Sequence, residues 1–158
     1  MPASPYISGR DSDLEQDPLI SYNFMLELEG TVAGYFTECN GIGSEHEVVE
    51  HKVVDTQGHE IVRKIPGRMK WTDITLKRGI TSAMDIWDWR DKVVQGDVKS
   101  ARKNATIHMM DRMYSPIATW HFTNAWPSKV TGPTMKSDSN DIGVEELVLV
   151  HEGMYREK

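Results

Sequence analysis

Residues 45–55 (EHEVVEHKVVD) constrain the fold most, because they are rich in β-branched valine yet offer no apolar side. In an extended chain successive side chains point to opposite faces. Val48 and Val54 then share a face with His46, Glu50 and Lys52. Val49 and Val53 share the other with Glu45, Glu47 and His51. Neither face is cleanly apolar, so this strand cannot run through the middle of a core. The pattern predicts a long ribbon projecting from a core, or an edge held by a neighbour. Thr56-Gln57-Gly58-His59 supplies a tip, residues 60–65 return, and Pro66-Gly67 is expected to break the pairing.

The rest of the chain predicts what the ribbon projects from. Residues 22–28 alternate apolar and polar, Gly30 and Thr31 mark a turn, and residues 32–36 return, which is the pattern of a hairpin. Residues 40–44 (NGIGS) form a turn cluster, and Ile74 and Leu76 share one strand face. Further strands are expected at 105–110, 117–124 and 144–151, with Pro127 breaking the middle run. One helix is expected. Ser82 with Asp85 resembles a capping box, Ala83, Ile86, Trp87, Arg90, Val93 and Val94 form a stripe, and Gly96 marks the stop. Trp89 lies beside that stripe, where partial exposure is expected. Many short strands, one helix and no βαβ alternation give a mainly β (α+β) class. The expected architecture is an antiparallel β-sandwich or barrel with one packed α-helix and a long projecting β-hairpin. With 158 residues the chain suits one domain over 19–158. An N-terminal arm over 1–18, rich in proline, serine and acid, precedes it.

Composition and motifs exclude much chemistry. A net charge of −6 disfavours a phosphate-backbone binder, whose affinity comes from Lys and Arg. Residues 1–20 lack the apolar stretch of a signal peptide, and no run is long enough for a membrane span, so no membrane anchor is expected. Gly41-Ile42-Gly43 begins like a dinucleotide fingerprint, but Glu45-His46 follows where the third glycine is due. The six histidines form no HExxH motif, and His46 and His51 point to opposite faces of one strand. Cys39 is the sole cysteine and reads as an incidental thiol, and Met109, Met110 and Met113 read as adaptable packing. No catalytic, cofactor-binding or metal-ligating residue is expected. The two-faced strands point instead to a module that associates with copies of itself.

Four stretches carry a resemblance to a known family. They are Lys64-Ile65-Pro66-Gly67 followed by Ile74-Thr75-Leu76-Lys77-Arg78-Gly79; Trp87 to Arg90 with Val94 and Gly96; Trp120 to Lys129 with Thr131-Gly132-Pro133; and Asn140 to Leu147 ending in His151-Glu152-Gly153. With Asp17-Pro18 and Asn23-Phe24 they resemble the tail tube proteins of contractile-tailed phages and of extracellular contractile injection systems. The resemblance implies a structural protein without enzymatic activity or cofactor. It implies hexameric rings stacked into a hollow inner tube, with DNA or a protein effector as cargo in the lumen. Sheath, baseplate and tube-initiator proteins are the implied partners. Assembly in the cytoplasm into a virion tail or an extracellular particle is implied too. The ribbon matches the family's extended hairpin, which reaches toward the next ring. Glu45, Glu47, Val49, His51, Val53 and His59 on the ribbon, with Lys77, Arg78 and Lys129, are the expected inter-subunit contacts. Trp87, Trp126, Pro127, Pro66 and Gly67 are the expected structural anchors, Trp87 holding helix to sheet. A baseplate-proximal tube initiator and a small ligand-binding or enzymatic β-barrel are the alternatives.

Overall fold

A computed structural model describes residues 23–79, 84–133 and 143–157. Ten strands and two helices follow in order. They are β1 (Asn23–Leu28), β2 (Thr31–Phe36), β3 (Glu38–Asn40), β4 (Ser44–Val54), β5 (Glu60–Trp71), β6 (Ile74–Gly79), α1 (Asp85–Val94), α2 (Val98–Ala101), β7 (Lys103–Met110), β8 (Pro116–Thr131), β9 (Val144–Val150) and β10 (Gly153–Arg156). The expected arm, residue 22 of the first expected strand, Ser82, Ala83 and residues 134–142 lie outside the described residues.

The first hairpin turns through Glu29 (φ 51°) and Gly30 (φ 85°), both left-handed, as a two-residue type I′ loop requires. Its strands begin an eight-stranded antiparallel sheet of order β2-β1-β7-β8-β9-β6-β3, with β10 also on β8. Two chain segments serve both limbs of this sheet. β8 pairs with β7 up to Ala125 and with β9 from Trp126 onward. β2 pairs with β1, and the same chain continues through Thr37 into β3, which pairs with β6. The Thr37 amide donates to the Lys77 carbonyl at 2.9 Å, so the joint between β2 and β3 is itself held. The ladder is open, yet residues 31–40 supply both its ends.

Between the limbs lies one core, with Leu26, Phe36 and Ile107 from one and Ile74, Leu76, Leu147 and Leu149 from the other. The expected break at Pro127 does not occur. Asn124 adopts φ 50°, and pairing with β9 shifts between Pro127 and Lys129. These irregularities bend one long strand instead of ending it.

Helix α1 closes the side of the core. Its C-terminus is a Schellman motif around Gly96 (φ 87°), with Gly96 N donating to Val93 O and Asp97 N to Lys92 O. Its N-cap is Met84, which makes no side-chain cap. The buried stripe is Ile86 and Trp89, while Val94 is 67 % exposed. Trp89, expected beside the stripe, is therefore the deep anchor, and its indole N–H donates to the Ala101 carbonyl at 2.6 Å. Two overlapping i, i+3 patterns run through this helix, and sequence alone does not say which faces inward. The four-residue helix α2, absent from the sequence reading, starts at Asp97, whose carboxylate accepts from the Ser100 amide.

Arg78 and Glu145 face each other across β6 and β9 on the core side, 4 % exposed each. Arg78 Nε donates to Glu145 Oε2 at 3.0 Å, and Trp87 Nε1 donates to Oε1 at 3.0 Å. The guanidinium also lies 5.4 Å from the Phe36 ring centre. Gly34 makes the room, since a Cβ there would sit 2.8 Å from Arg78 Nη1. Breaking a buried ion pair from one side leaves a desolvated charge, whereas replacing both partners by apolar groups does not. Arg78→Met should therefore cost about 3–5 kcal/mol, and Arg78→Met with Glu145→Leu should regain most of it. Urea melts of the double-mutant cycle check this; additive losses would refute it. Gly41 sits at φ 90°, and a Cβ there would overlap the Asp73 carbonyl oxygen. Gly41→Ala should destabilise by about 3 kcal/mol in the same melts.

Candidate functional site

The ribbon is β4 (11 residues) paired with β5 (12 residues), a separate two-stranded sheet. At ~3.3 Å per residue it extends about 36 Å. Among the described residues it pairs with no other strand. Its tip is preformed by Asp55. Asp55 Oδ1 accepts from the amides of Gln57 (2.9 Å) and His59 (2.8 Å), Gly58 takes φ 81°, and His59 Nδ1 lies 3.4 Å from Oδ2.

Register decides what each face carries. Val49 stands opposite Ile65, His51 opposite Arg63, and Val53 opposite Ile61. Four aliphatic side chains thus share one face around a basic centre. Val49, Ile61 and Ile65 are 50 %, 42 % and 40 % exposed. Glu45 and Glu47 share this face, so the fold gathers five of the six expected ribbon contacts on one side, with His59 at the tip. On the opposite face Glu50 opposes Lys64 and Lys52 Nζ lies 3.8 Å from Glu60, beside the exposed Val48, Val54 and Val62. Sequence reading missed Ile61, Arg63 and Ile65, although alternation with β4 was the available signal.

Pro66 and Gly67 do not break the ribbon. Pairing passes from Val48 opposite Pro66 to His46 opposite Met69, so Gly67 and Arg68 bulge across from Glu47. A Cβ on Gly67 would lie 2.9 Å from the Glu47 carbonyl oxygen, which explains the glycine.

The other expected contacts scatter. Lys77 is half-buried, with its amine 3.9 Å from Glu38, and Lys129 is exposed on β8. Arg78 is turned inward to Glu145, which assigns it to the interior and not to the surface. Of the expected anchors, Pro127 is fully buried and its carbonyl accepts from Arg90, while Trp126 and Trp87 are half-buried.

Among the described residues no group of three His, Cys, Asp or Glu is placed to hold a metal. No described helix is long and apolar enough to cross a membrane. A shallow hollow of about 490 Å³ is lined by Tyr35, Phe36, Thr37 and Tyr114. On the sheet face away from the core, His121 bridges Thr106 and Glu157 under the Tyr155 ring, and His108 lies between Thr119 and Glu27. Burial pushes the Cys39 thiol up to about 12, so it stays protonated at neutral pH.

The body leaves β2 and β3 as open edges, and the ribbon stands apart from it, paired with no other described strand. The family model described as T4-like virus tail tube protein gp19 matches residues 20–155, and the chain belongs to that family. No curated protein matches it. The fold is shared with solved structures of 25 % identity or less. A chain of the extended sheath–tube complex of PVC, an extracellular contractile injection system, is 23 % identical over 93 % of this chain and 96 % of that one, TM-score 0.66. A chain of the anti-feeding prophage tube-terminating cap is 22 % identical over 90 % and 92 %, TM-score 0.64. Hcp1 from Flavobacterium johnsoniae is 12 % identical over 84 % and 93 %, TM-score 0.50.

Two outcomes follow from this geometry. Native protein at neutral pH should react with a thiol reagent at Cys39 at least tenfold more slowly than unfolded protein, read by mass spectrometry. Val49→Asp with Ile65→Asp should leave the stability of the isolated subunit within about 0.5 kcal/mol, since both sites are exposed.

Proposed function

We propose that the chain forms hexameric rings that stack into the hollow inner tube of a contractile particle, with the β4–β5 ribbon making the contact between rings. One observation carries this reading: four aliphatic side chains lie together on one face of a ribbon that pairs with no other strand among the described residues. An isolated two-stranded hairpin is marginal in water, and an exposed apolar face of this kind marks an interaction site. Copies of the same chain cover it. Rings and stacks arise naturally from such a contact, because a head-to-tail contact closes into a ring or propagates along an axis.

Family membership supports the tube role. Its solved neighbours are described as parts of a sheath–tube complex, a tube-terminating cap and a baseplate. Sheath around the tube and baseplate at its end are thus the proposed partners, with DNA or a protein effector in the lumen. The role is mechanical and requires neither catalysis nor a cofactor. The particle would be a phage tail or an extracellular injection device, built from subunits assembled in the cytoplasm. Residues 1–18 would act as an arm beside the 19–158 domain.

Negative-stain microscopy at rising protein concentration, with light scattering for mass, tests the proposal. Six-fold rings and stacked hollow tubes are expected. Val49→Asp with Ile65→Asp should abolish stacking while rings persist. Single rings that never stack would assign the chain to a tube end instead, and a persistent monomer, unchanged by the ribbon variant and by a baseplate nucleus, would overturn the tube reading.

A further inference from the structure

The ribbon is fixed to the body only at its root, and a histidine sits there. The root's last hydrogen bond runs from the Thr72 amide to the Gly43 carbonyl at 3.2 Å. Above it Trp71, the last residue of β5, lies against His151, with ring centres 5.7 Å apart. The other side of the imidazole meets Phe122 of the core edge to face at 5.0 Å. His151 occupies the joint between β9 and β10, so one ring couples the ribbon, the core and that joint.

The protonation of this ring is defined by its contacts. Nδ1 lies 3.2 Å from the Gly153 carbonyl, and because a carbonyl only accepts, Nδ1 carries the hydrogen. Nε2 is buried without a hydrogen-bond partner. In the neutral ring that nitrogen carries the lone pair.

We propose that His151 is a proton-operated latch, which seats the ribbon root against the body while the ring is neutral and releases it when the ring is protonated. A second proton would go on Nε2, where no acceptor receives it and charge is costly. Burial pushes His151 below the ordinary imidazole range. The Gly153 and Thr72 carbonyls and the Asp73 carboxylate act the other way and are outweighed. Asp73 is the charged group that faces the ring; Trp71 and Phe122 are apolar faces that do not titrate. A folded-state value below the unfolded one means that the seated form is fully stable above the ordinary range. That stability is lost as pH falls. Protonation is relieved when the ring turns out to water, and that motion removes the support under Trp71. The latch is a property of the subunit; only its consequence, looser tubes in acid, rests on the tube reading.

The test uses the full chain. Deuterium uptake at each histidine C2, read by mass spectrometry between pH 4 and 8, gives the midpoint of every imidazole. His151 should titrate below the midpoint it shows in the urea-unfolded chain. Amide exchange at residues 43–46 and 70–73, corrected for its intrinsic pH dependence, should show up to about tenfold more opening per pH unit between the ordinary imidazole range and the folded-state midpoint, and level off below it. His151→Phe should abolish this dependence, and His151→Asn, which does not titrate, serves if the phenylalanine variant fails to fold. The latch is overturned if His151 titrates in the folded chain where it does in the unfolded one. It is overturned equally if the root opens in acid with either variant in place. Scattering of assembled tubes across the same pH range is a separate reading: a failure to form tubes at any pH counts against the tube proposal, while subunit exchange still decides the latch.

Discussion

Backbone hydrogen bonding, more than the apolar core, sets the form of this molecule. Every strand has two sides of donors and acceptors, and a sheet of finite width leaves two sides unmatched. The chain reduces that deficit by making two segments work twice. Residues 31–40 pair with β1 at one end and β6 at the other, and β8 divides its length between β7 and β9. The bends this demands are visible in Asn124, in the shifted pairing after Pro127, and in the extra residue Ala33 on β2 opposite Leu26 and Glu27. The edges that remain, on β2 and β3, are not paired to the ribbon, which stands as a separate two-stranded sheet.

The same pairing explains the inward-facing charge pair. Arg78 and Glu145 occupy positions where alternation along β6 and β9 calls for apolar residues. Fixed donors there tie three elements together, because Glu145 accepts from Arg78 on β6 and from Trp87 on α1 while belonging to β9. An aliphatic pair would fill the volume, but it would not tell the helix where to sit.

What the sequence discloses depends on whether the signal is local. Alternation in residues 23–36 and 45–65 and the stop at Gly96 are read within a few residues, and they survive in the fold. Properties set by a distant partner were hidden. The ribbon looks two-faced strand by strand; only the pairing shows that Val49 stands with Ile65 and Val53 with Ile61 around His51 and Arg63. Arg78 looks like a surface cation until Glu145, 67 residues away, is placed opposite it. Trp87 and Trp89 exchange depth because two helical stripes overlap and the packing of α1 against β8 chooses between them. Pro66 and Pro127 look like breaks, yet each sits beside a bulge, where a strand tolerates a missing donor. The family resemblance reached the tube class by motif order, which is independent of these side-chain details.

The bulge at Gly67 and Arg68 has a meaning for the subunit before it meets any other. A long, flat strand pair with valine and isoleucine on show is a template for runaway edge-to-edge growth, in which sheets add without limit or geometry. An extra residue strengthens local twist and spoils the straight row of donors that such growth copies. Pro66 removes one donor outright, and Lys52, Arg63 and Lys64 place positive charge along the same length. A freshly made copy can therefore wait in solution with its sticky face uncovered. It is receptive to one shaped counterpart and a poor seed for fibrils.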